Sequence, residues 1–242
     1  MVLFVNLVRP EGAAIIKTYR AVSPQGVVCI WVSLLLGRYC DLGESTVPLF
    51  LKKYIYIEFM SILFMEEIIQ LLQKINKLKK LKRKGWVLKN VPNPESVAEH
   101  SFQTSIMVLL LADKFNLDKN KCVQMALIHD VCECVVGDIT PHDNISMEEK
   151  TRLEKKAMES LFKKIDENII QLWEEYDKKE TPEAIFVSEI DKIETVLQAY
   201  EYENEQNQKN EKLDLIEFYN YAEKRIKNPE LIEIINILKS KR

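Results

Sequence analysis

Apolar residues recur at helical spacing along most of the chain. Ile68, Ile69, Leu72, Ile75, Leu78 and Leu81 define one face between Met65 and about Leu81, opposite a lysine-rich face that reads as solvated rather than as a polyanion patch. Arg83-Lys84-Gly85-Trp86 breaks that helix, and Val91-Pro92-Asn93-Pro94 predicts a rigid, extended connection. Glu95 to about Asn116 is the next predicted helix, carrying Val97, Phe102, Ile106, Leu109 and Leu110, with His100 in its first half. Asp118 is placed to cap the helix after it, which runs through Cys122, Met125 and Ile128 into the apolar stretch Ala126 to Asp138. Gly137 is placed to stop that helix and release Asp138 into a turn. A polar loop with Pro141 and His142 follows, and Ser146 with Glu149 forms a capping-box pattern for a charged helix through Leu161. Glu167 to about Asp177 is helical. Thr181-Pro182-Glu183 then opens a long helix with Val187, Ile190, Ile193, Val196 and Leu197, with Asp191 set among them; Asn228-Pro229 repeats the start signal for the last helix. No run alternates with a period of two outside the first sixty residues, so the predicted body is all-α with short connections.

The start of the chain reads differently. Four of the six glycines (Gly12, Gly26, Gly37, Gly43) lie there, and Lys17 is the single lysine before position 51. Val27 to Leu36 is apolar except for Ser33, which is short for a bilayer span, and Tyr54 to Phe64 is interrupted by Glu58. The expected division is an extension over residues 1–63, loosely ordered, targeting, or the result of a start assigned too far upstream of Met65, and one domain over residues 64–242. Of these, a loosely ordered extension or misassigned start is preferred to targeting.

Composition narrows the class. A net charge of -3 gives no electrostatic footprint for nucleic acid. Cys29, Cys40, Cys122, Cys132 and Cys134 are odd in number and without CxxC spacing; they suggest neither a disulfide framework nor a thiolate zinc site, and fit a reducing, cytoplasmic compartment. Organellar or membrane association is open only through residues 1–63.

The candidate chemistry centres on Ala126 to Asp138. His129 and Glu133 are four apart, so on the predicted helix they share one face, and Asp130 follows His129 directly. Imidazoles and carboxylates on an apolar helix are costly to bury unless paired or bound to metal. His100, His129, Asp130 and Asp191 come from three separate helices and form a set suited to Mn, Fe, Co, Zn or Mg. Each has an ordinary reading alone, as a satisfied core histidine or the ion-pair partner of a lysine; with Glu133 and Asp138 those readings would have to coincide six times.

The spacing of His100, His129-Asp130 and Asp191 resembles the H…HD…D pattern of the HD-domain metal-dependent phosphohydrolases. Lys82 to Val87, Pro94 to His100, His129 to Asp138 and Leu197 to Glu203 resemble, more narrowly, the 5'-deoxynucleotidase branch of that family. The likeness runs from about Met65 to the C-terminus. It implies an HD-domain helical bundle and a homodimer. It also implies that His100, His129, Asp130 and Asp191 hold a divalent cation, and that Glu133 and Asp138 help to activate water or, with the Ile139 carbonyl, hold a second metal. Arg83 would touch the substrate phosphate. Trp86 would lie near it, although its separation from Arg83 departs from the bacterial members, and core packing is an equal reading. The expected activity is metal-dependent hydrolysis of deoxyribonucleoside 5'-monophosphates, with Glu133 as proton acceptor and Asp138 orienting water or protonating the leaving oxygen. The competing expectations are another HD-type nucleotide phosphohydrolase or phosphodiesterase, and a non-catalytic helical binding protein that a metal merely stabilises.

Overall fold

Thr181 and Pro182 start the helix on which the body is built. The Thr181 hydroxyl accepts the Ala184 N–H at 3.3 Å, and Pro182 occupies a first-turn position whose missing N–H costs nothing. The structure, a computed structural model, describes residues 2–8, 14–20 and 49–242. The apolar run Val27 to Leu36 lies outside the described residues.

The chain divides into two compact units, Met1–Met60 and Ser61–Arg242. In the first, strands β1 (Val2–Val8) and β2 (Ala14–Arg20) pair antiparallel, with Val2 opposite Arg20 and Val8 opposite Ala14. Helix α1 spans Leu49–Ile75. The second unit is helical, as the patterning predicts: α2 (Lys84–Leu88), α3 (Val97–Leu111), α4 (Lys119–Ile128), α5 (Glu133–Val136), α6 (Met147–Phe162), α7 (Glu167–Lys178), α8 (Pro182–Gln208), α9 (Ile216–Glu223) and α10 (Pro229–Lys241). No described helix is long and apolar enough to cross a membrane.

Helix α8 is about 40 Å long at 1.5 Å per residue and packs against α3, α4, α7, α9 and α10. Ala184, Val187, Ile190, Ile193, Val196 and Ala199 along it are fully buried. Each larger aliphatic among them contributes about 1.5–3 kcal/mol by leaving water. These residues belong to the larger of two apolar clusters; the smaller joins Val97, Val131, Cys132, Met158, Phe162 and Trp173. The chain passes from one to the other across His129-Asp130, since Met125 and Ala126 lie in the first and Val131 and Cys132 in the second.

Several local expectations change. Helix α4 stops at Ile128, so His129 and Asp130 stand in a turn rather than mid-helix, and Glu133 begins the separate α5. The Nδ1 of His129 donates to the Ala126 carbonyl at 2.7 Å, a place the helical ladder would give to the next N–H. The chain then tightens through Val131 N–H to Ile128 C=O (3.1 Å) and Glu133 N–H to Asp130 C=O (3.1 Å). Gly137 does end α5, at φ +80°, where a side chain would be strained. A full capping box forms between Ser96 and Glu99 at the start of α3; Ser146 accepts the Glu149 N–H at 3.1 Å, while the Glu149 carboxylate turns to Arg152.

Helix α3 also turns all of its apolar series but Val97 outward. Val97, His100, Thr104, Ser105 and Val108 point inward, whereas Phe102, Ile106, Leu109 and Leu110 lie exposed on one stripe. Ser101 and Ser105 satisfy their hydroxyls on the carbonyls of Val97 and Ser101, which lets a polar face be buried.

Candidate metal centre and its surroundings

Helix α3 brings His100 to a point opposite the turn after α4, and α8 supplies Asp191 from a third side. His100 is fully buried and gives its Nδ1 to Glu194, itself fully buried one turn beyond Asp191 on α8. His129 is committed at Nδ1 to the Ala126 carbonyl. Each ring is thereby left with Nε2 facing inward, and the two Nε2 atoms lie 3.3 Å apart. The Asp130 Oδ2 is 3.2 Å from His129 Nε2 and 3.7 Å from His100 Nε2, and the Asp191 Oδ1 is 3.1 Å from His100 Nε2. His100, His129 and Asp130 each offer a donor atom within 4.8 Å of the others.

Two imidazoles with their outer nitrogens already committed, together with carboxylate oxygens converging on the inner ones, match the donor set of a hard-to-borderline divalent cation. Without compensation, four such groups in a protein interior would be expensive. The electrostatics agree. Burial disfavours the Asp130 charge, yet His129, His100 and Arg83 outweigh it and hold the carboxyl well below the usual range. Burial likewise works against Asp191, and its hydrogen bond to His100 and the Lys192 charge pull it well down.

Arg83 lies just before α2, with Nη1 3.3 Å from Asp130 Oδ2 and Nη2 donating to Thr195 Oγ1 at 3.1 Å. Glu133 enters from α5, 5% exposed, with no hydrogen-bond partner for Oε2 among the described residues. Burial, then the charges of Asp130 and Asp138, push its carboxyl well above the usual range. Asp138 is half-buried in the loop after α5, and its Oδ2 accepts the Lys84 N–H at 2.7 Å, which ties that loop to α2. Ile139 follows it, also half-buried. Thus His100, His129, Asp130, Asp191 and Arg83 are brought together, with Glu133 and Asp138 near enough for their charges to act on one another.

Trp86 is placed elsewhere. It is 1% exposed in the large apolar cluster, against Tyr202 and Phe218, because α2 turns it away from Arg83. Its Nε1 donates to Glu95 at 2.8 Å, so it borders the site only through that carboxylate. Burial and the Glu194 charge raise Glu95 to about 7. Glu95, Glu194 and Thr195 are absent from the residues expected from sequence. Glu194 left one signal, a second carboxylate three residues after Asp191 on the same apolar face of α8; Glu95 left none. Tyr176 on α7 also reaches the site, its ring edge-on to His129 with centroids 5.5 Å apart.

This architecture, helices converging on a histidine–aspartate turn, defines the class, and the sequence pattern of the HD domain matches residues 75–233. The chain belongs to the HD-domain family. Within that family it is 39% identical over 181 residues to 5'-deoxynucleotidase HDDC2 of Xenopus laevis, covering 73% of this chain and 88% of that one. It is 37% identical over 179 residues to 5'-deoxynucleotidase HDDC2 of Homo sapiens, covering 72% and 86%. A crystal structure of a Pyrococcus horikoshii protein superposes with a TM-score of 0.62 at 31% identity, over 72% of this chain and 99% of that one.

Proposed function

We propose that the chain is a metal-dependent 5'-deoxynucleotidase that hydrolyses deoxyribonucleoside 5'-monophosphates to deoxyribonucleoside and phosphate. The observation that carries this reading is the convergence of two Nε2 atoms and the carboxylates of Asp130 and Asp191 beside Arg83 and the unpartnered Glu133. The relatives named for that activity support the substrate class.

His100, His129, Asp130 and Asp191 would hold the cation, and their donor set admits Mn, Co, Mg, Fe or Zn. A divalent cation there supplies Lewis acidity, making a water more acidic and offsetting phosphate charge. Arg83 presents a planar fork to the phosphate. Glu133, buried and without a hydrogen-bond partner among the described residues, accepts a proton from the attacking water. Asp138, steadied by the Lys84 N–H, orients that water or returns a proton to the departing 5'-oxygen. Glu133, Asp138 and the Ile139 carbonyl are the donors available to a second cation. An unpaired, buried carboxyl beside the ligands is what a purely structural metal site does not need, and this disfavours the binding-protein reading.

The working form in this reading is a cytoplasmic homodimer of a catalytic domain over residues 64–242. The exposed stripe of Phe102, Ile106, Leu109 and Leu110 on α3 supports self-association. The unpaired, buried thiols of Cys122, Cys132 and Cys134 support a reducing compartment. Chromatography of the products from deoxy- and ribonucleoside 5'-monophosphates, 3'-monophosphates, cyclic nucleotides and triphosphates tests the activity. Nucleoside and phosphate from 5'-monophosphates alone, favouring deoxy sugars, are expected; a monophosphate formed from cyclic nucleotides, or hydrolysis of triphosphates alone, would move the chain to another HD reaction.

A further inference from the structure

Thr195 lies one helical turn after Asp191 on α8, half-buried, and its hydroxyl is engaged twice. Its proton goes to the Asp191 carbonyl at 3.1 Å, the usual return of a helical threonine to the turn before it. Its oxygen accepts from Nη2 of Arg83 at 3.1 Å, a contact made across 112 positions of sequence. A hydroxyl can do both, since it donates one bond and accepts through its lone pairs. Helix α8 needs neither bond to form; the second one serves Arg83.

The other groups around this guanidinium hold it less exclusively. Its Nη1 is 3.3 Å from Asp130 Oδ2, but Asp130 is one of the candidate cation ligands, so that oxygen is not the arginine's alone. Its Nε is 4.0 Å from Glu95 Oε1, beyond hydrogen-bond reach, and that oxygen already accepts the Trp86 N–H at 2.8 Å. Thr195 offers a neutral acceptor, fixed to α8 through the Asp191 carbonyl. With one N–H of each terminal nitrogen so committed, each keeps a second to offer a phosphate oxygen. A guanidinium plane already held at both ends gives up little side-chain freedom when the anion arrives.

We infer that Thr195 is the positioning residue for the phosphate-binding Arg83: its hydroxyl, steadied on the Asp191 carbonyl, holds the Nη2 end of the guanidinium so that the fork is set before substrate binds. The inference rests on the proposed phosphohydrolase reading, in which Arg83 contacts the phosphate, and it changes no bond made or broken.

The test measures binding of inorganic phosphate to the metal-loaded protein by calorimetry, beside KM and kcat for a deoxyribonucleoside 5'-monophosphate. Thr195→Val keeps the shape and removes the hydroxyl, Thr195→Ser keeps the hydroxyl, and Thr195→Val is also made together with Arg83→Gln. Losing the bond that sets the fork weakens phosphate binding about threefold to tenfold in Thr195→Val, with the kinetic change falling on KM rather than kcat. Metal content stays at the parent level, Thr195→Ser recovers most of the loss, and Thr195→Val adds no further loss once Arg83→Gln is present. A threonine that only ties α8 to the chain before α2 would lower stability without this pattern. Parent-like phosphate affinity in Thr195→Val, an equal loss in the Arg83→Gln background, or a loss that follows metal content overturns the assignment. The phosphate titration needs no turnover, so a parent protein that binds phosphate but hydrolyses no monophosphate would refute the proposed function and still read the role of Thr195.

Discussion

Replacing Glu194 by glutamine tests whether His100 faces a metal. Glu194 is fully buried, with one oxygen on His100 Nδ1 and Oε1 without a partner among the described residues. Glutamine has the same shape. It keeps an oxygen for the Nδ1–H and alters only the charge behind the ring. That charge is the outer partner that makes a ligating imidazole more basic, and its loss costs about 10–100-fold in metal affinity, or about 1.4–2.8 kcal/mol. Because ligand binding to the folded state adds to stability by mass action, saturating metal should stabilise the variant by that much less than the parent. For a domain of this size the deficit is about 3–10 °C in melting temperature. The assay is thermal unfolding of both proteins in chelator and in excess Mn or Co, with the chelator pair removing any purely structural loss. Equal metal-induced shifts in parent and Glu194→Gln would refute the reasoning, since His100 Nε2 could not then be a ligand oriented by Glu194.

Glu154 gives a pH dependence. Burial, with Asp130 and Asp177 adding to it against Lys150, raises its carboxyl from 4.5 to about 7. A raised carboxyl favours the folded state below its unfolded pKa and loses that advantage as pH climbs to 7, a penalty of up to about 3 kcal/mol. Glu154→Gln should therefore gain stability over the parent in urea unfolding at pH 8 and show no gain at pH 4.5; equal gain at both would contradict the linkage. Ser96→Ala removes the hydroxyl half of the α3 capping box and should cost about 1 kcal/mol in urea unfolding, with no cost meaning that the box does not hold α3. Phe102→Glu with Leu110→Glu, at positions 67% and 73% exposed, should convert a dimer to a monomer by light scattering; a parent already monomeric at micromolar concentration would remove the dimer from the account.

The start signals with a local cause were legible. Asp118, Thr181-Pro182 and Asn228-Pro229 begin helices where their side chains cap free N–H groups, and the long α8 is marked by its buried aliphatics. Apolar periodicity misled where a helix lies between the core and an unpartnered surface. On α3 it selects the exposed stripe, because the inward face is given over to His100, Thr104 and Ser105. The break at His129-Asp130 was hidden because the residues around it are apolar and helix-compatible, and it goes with a local side-chain choice that the pattern does not mark, the His129 ring taking the Ala126 carbonyl three residues back. Among the site residues, His100, His129, Asp130 and Asp191 stand out by type. Glu95 does not, since its importance comes from the nitrogen it holds, and Glu194 is marked only by its spacing from Asp191. Trp86 neighbours Arg83 in sequence and still packs into the core, because a short helix turns successive side chains to different sides.

The central claim, metal-dependent hydrolysis at this cluster, is tested most directly by phosphate release from a deoxyribonucleoside 5'-monophosphate. Protein stripped of metal is reloaded separately with Mg, Mn and Co, beside Asp130→Ala and Glu133→Gln. The account predicts release only after reloading, loss of both metal and activity in Asp130→Ala, and loss of activity with metal retained in Glu133→Gln. Full release by the stripped protein, or undiminished release by folded Asp130→Ala, would contradict it.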